Sequence, residues 1–186
     1  MDTLHIKNKT IFKNSIPVAV AYLLIGFTFG ALFSAKGGSA IEALVISIFC
    51  FAGAAQFFAI EFYSEDFSIP VMFFSIFILN IRHIFYGISF LNNWKGFRKF
   101  YLSMSLTDEN FGMSSLYKDK NPSEIEWVKI FALNHFYWIL GCTLGSLVPS
   151  EIIHKIVGAD FALIALFVAI FANTVRKRMD FNHARK

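Results

Sequence analysis

Apolar positions along this chain fall in long unbroken runs, not in the spaced stripe of an amphipathic helix or the alternation of a half-buried strand. Five runs stand out, over residues 16–34, 41–60, 69–91, 127–148 and 161–175. Most approach the roughly 20 residues that carry a helix across about 30 Å of hydrocarbon. The last is shorter and needs a thinned bilayer or support from neighbouring helices. The pattern predicts an all-α fold, a polytopic integral membrane helical bundle forming one domain over residues 1–186. The one substantial polar region is the loop 92–126. Its stretch 100–117 mixes aromatic and apolar residues with Thr107-Asp108-Glu109-Asn110, as an interfacial or half-inserted segment does.

The third run is interrupted in its middle. Between Ile69 and Leu91 the only strongly polar side chains are Asn80, Arg82 and His83. A cation at that depth costs at least ~2.5–3.5 kcal/mol, so it normally faces a bundle interior or a watery cavity. Lysine and arginine placement adds a second irregularity. If all five runs cross, the basic tail (Lys7, Lys9, Lys13) lies inside, but Lys95, Arg98 and Lys99 lie outside, against the positive-inside tendency. A re-entrant second run restores agreement and is the preferred reading; a break of the third run at Asn80–His83 is the other rescue. Either one sets non-helical backbone at membrane depth, where only protein or a water-filled cavity satisfies it. Secondary transporters build substrate sites from such discontinuous helices.

Composition agrees with a membrane domain. Of 186 residues 56% are hydrophobic and 16% charged, against about 25% charged in soluble domains. Mean hydropathy is +0.55. The net charge of +4 sits in short clusters beside apolar runs, which suits the cytoplasmic leaflet and not nucleic acid. The first run resembles a signal peptide but is too long for an h-region and lacks a small-x-small cleavage site, so it reads as a retained first helix with a cytoplasmic N-terminus. Pro17 lies near the start of that run, where a missing N–H costs little. Cys50 and Cys142 lie inside apolar runs and read as buried small hydrophobes. Ala52-Gly53-Ala54-Ala55 and the Gly141-x-x-x-Gly145 pair allow close helix approach. No phosphate loop, nucleophile elbow or His-Glu-x-x-His motif is present, and no cofactor or metal site is implied.

The candidate chemistry is therefore carried by embedded polar groups. Arg82 offers a permanent charge and a planar fork of donors matched to a carboxylate; snorkelling toward the C-terminal side, or pairing with a buried acid, is the structural alternative. Gln56, among small residues, and Asn80 can hydrogen-bond a ligand or a neighbouring helix, and Asn80 can also satisfy backbone freed by a break. His83 and His135 can titrate and couple proton movement or simply pack, and on separate helices they can meet in one cavity. Asp108 and Glu109 can pair with Arg82 or bind a coupling cation, whereas Thr107 or Asp108 can equally serve as a helix N-cap.

Three blocks carry a family resemblance: Phe51-Ala52-Gly53-Ala54-Ala55-Gln56-Phe57, then Leu79-Asn80-Ile81-Arg82-His83 through Tyr86-Gly87, then Leu106-Thr107-Asp108-Glu109. In order and spacing the chain resembles the AzlC family, the large subunits of bacterial branched-chain amino-acid exporters, from about Ser15 onward. The resemblance implies secondary export of valine, leucine, isoleucine and analogues across the inner membrane, with a small AzlD-type partner. Members generally continue through further apolar segments, so the chain reads as shortened at its C-terminus. Taken with what the resemblance implies, the residues are read as an exporter's, in which Arg82 receives the substrate carboxylate, Gln56 and Asn80 bind its polar end, and His83, Asp108, Glu109 and His135 carry protons or ions. A non-transporting scaffold subunit is the alternative. An intramembrane enzyme is a third reading, and it requires His83, His135 and Asp108 to converge.

Overall fold

A computed structural model describes residues 6–63, 68–90, 96–114, 117, 122–149 and 152. The fifth apolar run, 161–175, lies outside the described residues. Among those described, all regular structure is helical, in eight helices. Helix α1 (Asn8–Ala35) has 28 residues and extends about 42 Å at 1.5 Å per residue. Its start at Asn8 corrects one expectation: Pro17 lies in the helix interior, not near its beginning, and deprives the Lys13 carbonyl of its partner four residues on. The buried positions Ile11, Ser15, Val18, Tyr22, Gly26, Phe29, Gly30 and Phe33 recur every three or four residues along one face.

That face packs along α8 (Glu124–Ser146), the most extensive helix pairing among the described residues. The approach is close enough to require glycine. A Cβ added at Gly141 would lie 2.9 Å from the Tyr22 carbonyl oxygen, and one at Gly30 would lie 2.6 Å from the Ser146 backbone nitrogen. Small residues on both helices thus bring the two backbones together.

The second apolar run is two helices. α2 (Ala40–Phe49) is opened by a Ser39–Glu42 capping box and ends before non-helical residues 50–52; α3 (Gly53–Tyr63) follows. The third run is divided too, into α4 (Ile69–Asn80) and α5 (Arg82–Phe90), bent by 45° at Ile81. Two of its polar residues close the bend. The Asn80 amide donates to the Ile76 carbonyl at 2.9 Å, and the His83 ring donates through Nδ1 to the Asn80 carbonyl at 3.0 Å. The polar region contains α6 (Gly96–Met104) and α7 (Asp108–Ser114).

By length and composition α1 qualifies as a membrane span, and the bent α4–α5 pair as a second if it counts as one span. α8 has the length, but Glu124, Glu126 and Lys129 occupy its first two turns. The core is largely apolar, with Phe29, Phe57, Phe131 and Trp138 inside it, but it also encloses polar side chains, and many large apolar side chains lie on the outside. Ser15, Ser47, Gln56, Ser105, Asn110 and Asn134 are at most 1% exposed, whereas Leu24, Phe73, Phe74 and Ile78 are more than half exposed.

Candidate functional site

The first residue after the bend is Arg82, which therefore sits in the opening turn of α5. Its Nη1 meets Asp108 Oδ2 at 2.8 Å, with both side chains about one-third exposed (34% each). Asp108 and Glu109 occupy the opening turn of α7, where carboxylates complement the helix dipole. Thr107 caps that turn, its hydroxyl accepting the Asn110 backbone N–H at 3.2 Å.

A chain of uncharged groups fixes α7 against α1 and α8. Tyr22 of α1 donates its hydroxyl hydrogen to Glu109 at 2.9 Å. Because a carboxylate only accepts, the Thr107 hydroxyl must donate to Tyr22, at 2.5 Å. Asn110 donates to the Ser105 carbonyl and accepts from the Asn134 amide of α8, both at 2.6 Å. Glu109 is thus held by a hydrogen bond whose direction is set by donor and acceptor chemistry, and Asp108 by its ion pair with Arg82.

Around them opens a half-open cavity of about 80 Å³. Asn80, Arg82 and His83 form one wall, and Thr107, Asp108 and Glu109 another. Phe51, Ala52, Gly53 and Ala54, from the α2–α3 break and the first turn of α3, form a third. Tyr22, Ile25 and Trp138 complete an apolar side. The N-terminal turn of α3 also brings the positive end of a helix dipole to the cavity.

Five of the seven residues expected from sequence, Asn80, Arg82, His83, Asp108 and Glu109, line this one cavity. Gln56 stands one layer behind, 1% exposed, and accepts the indole N–H of Trp138 at 2.8 Å; its own amide nitrogen finds no partner among the described residues. His135 is not with them. It lines a second, apolar cavity with Phe97, Phe100 and Tyr101, stacks on Phe51 at 4.4 Å, and donates through Nε2 to the Ser47 carbonyl at 3.0 Å. The two histidines therefore do not meet in one cavity, and the His83, His135 and Asp108 constellation needed for an enzyme is not assembled. Among the described residues no group of three His, Cys, Asp or Glu is placed to hold a metal ion.

Tyr22 and Trp138 carry much of the site and were not among the expected residues. No change of polarity marks them in the sequence; only helical spacing, with Tyr22 four residues before Gly26 and Trp138 one turn before Gly141, sets them on the faces that pack.

Amide and charged groups gathered in a cavity, inside helices whose outer faces are apolar, define a membrane protein built around an internal polar site. The profile described as AzlC protein matches residues 17–152. The chain belongs to the AzlC family. It is 35% identical to an uncharacterized membrane protein of Helicobacter pylori over 95% of this chain and 79% of that protein. It is 32% identical to the branched-chain amino acid transport protein AzlC of Bacillus subtilis over 88% of this chain and 66% of that protein. Against the inner membrane protein YgaZ of Escherichia coli, identity is 23% over 86% of this chain and 68% of that protein. No solved structure matches the chain.

Proposed function

We propose that this chain is a multi-pass subunit of a secondary transporter that exports branched-chain amino acids across the inner membrane, working with a small AzlD-type partner. The observation that carries the reading is the placement of Arg82, beside a helix break, in a cavity whose remaining walls are acidic, amide-bearing and apolar. The Bacillus subtilis relative, a branched-chain amino acid transport protein by name, supports the choice of amino acid. In this reading the Arg82 fork receives the substrate carboxylate, with the α3 N-terminus beside it. Asn80 binds the polar end, and Tyr22, Ile25, Phe51 and Trp138 surround the alkyl group. Gln56 is a positioning residue, holding the Trp138 indole in the wall. Glu109 and His83 are the titratable groups within the cavity that suit proton coupling.

The break at residues 50–52 supports the re-entrant arrangement of the second run, which would keep the basic clusters on the cytoplasmic side. One of the features that allowed the scaffold alternative was the Gly141/Gly145 packing surface, and α1 occupies that surface. Efflux of preloaded valine and leucine from cells, with and without the partner, tests the proposal. Partner-dependent efflux that Arg82→Ala abolishes, at unchanged membrane insertion, is the expected outcome; no efflux by inserted protein in either case would refute it.

A further inference from the structure

We propose that Arg82 and Asp108 together select a zwitterion: an α-amino acid inserts between the two side chains, its carboxylate taking Arg82 and its ammonium taking Asp108. The proposal rests on the transport reading and gives Asp108 a role in substrate choice in place of ion coupling. Three observations carry it. The ion pair is made through a single contact, Nη1 to Oδ2 at 2.8 Å. Arg82 Nε and Asp108 Oδ1 are shut off from solvent and find no partner among the described residues. Each ion therefore holds hydrogen-bonding capacity that the other does not use, although a guanidinium and a carboxylate are shaped to meet in two parallel bonds.

The second observation concerns charge balance. Arg82 and Asp108 neutralise each other across the cavity. A ligand with a single charge that separates them meets one ion and leaves the other, still about two-thirds buried, without its charged hydrogen-bond partner. An α-amino acid has its opposite charges on either side of one carbon, and it replaces both halves of the pair at once. The third is the supply of acceptors. An ammonium brings three donors, and beside Asp108 the cavity is lined by the Glu109 carboxylate and by Asn80. The carboxylate side is met by the Arg82 fork.

The two partners also lie on different short helices, α5 after the 45° bend and α7 beyond the polar region. Insertion between them separates α5 from α7, so ligand recognition and movement of the cavity wall become one event.

The test uses the wild-type chain with its partner in proteoliposomes, measuring leucine counterflow in the presence of three competitors. These are leucine, 4-methyl-2-oxopentanoate (a ketone in place of the ammonium) and 3-methylbutylamine (no carboxylate). Each single-charge analogue is expected to compete roughly ten- to hundredfold more weakly than leucine, as loss of a charged hydrogen-bond partner implies. With Asp108→Asn, the preference for leucine over the 2-oxo acid should fall by about tenfold or more, because Arg82 is released and the ammonium loses its counter-ion. A 2-oxo acid or amine that competes as well as leucine in the wild type would overturn the zwitterion inference and leave transport standing. Absence of leucine counterflow would overturn both.

Discussion

Arg82 and Asp108 are poorly explained as a stabilising device. A pair one-third exposed on each side contributes about 1 kcal/mol or less, and its geometry leaves one atom of each ion unmet. Asp108→Asn is therefore expected to shift the melting temperature in detergent only slightly while transport falls sharply. Large unfolding with transport lost in proportion would instead make the pair structural. Arg82→Lys should also impair transport, since an ammonium supplies a point charge without the planar fork. Trp138→Phe is a contrasting case. It removes the one side-chain hydrogen bond shown for Gln56 among the described residues, an interhelical bond of a type worth about 0.6–1.7 kcal/mol in membrane proteins, and should lower stability by that order. Asn80, Arg82 and His83 were legible in the sequence because they interrupt an apolar run. Tyr22 and Trp138 were not, since an aromatic residue in an apolar run looks the same whether it faces lipid or lines a cavity.

At the level of helices, the site exists because two apolar runs are broken and one polar region is folded back. The bend at Ile81 could be anticipated from the polar residues around it, and Asn80 and His83 do bond to backbone there. The interruption at 50–52 left almost no trace, as Cys50, Phe51 and Ala52 are apolar and continue the hydropathy of their neighbours. The start of α7 was readable as a cap at Thr107, but α6 and the Asn110–Asn134 bond required three-dimensional pairing that spacing does not encode. The α1–α8 contact was half legible: Gly141 and Gly145 announced a packing face, while the matching Gly26 and Gly30 were visible only once the helices were paired. Gly30→Leu should force these backbones apart and cost at least about 1–3 kcal/mol, read as a lower melting temperature. Gly112→Ala is the control, because a Cβ there meets nothing within 4 Å, and it should melt no lower than wild type.

At the level of the whole molecule, several polar side chains are enclosed in a mostly apolar core while many large apolar side chains of the described residues face outward, as on a surface that meets hydrocarbon. Composition and run length indicated this from the sequence; the number of crossings was not legible, because broken helices satisfy the length criterion only in pairs. The charge pattern adds an expectation about sidedness. In a Cys50→Ala, Cys142→Ala background, Lys9→Cys and Lys99→Cys should both react with an impermeant thiol reagent in inverted vesicles and neither in right-side-out vesicles. Labelling from opposite faces would rule out the re-entrant second run. The most direct test of the central claim is leucine counterflow by the purified chain and its partner in proteoliposomes, comparing wild type with Arg82→Ala of equal melting temperature. The account predicts accumulation of labelled leucine by the wild type and none by the variant; equal accumulation by both would contradict a substrate site at Arg82.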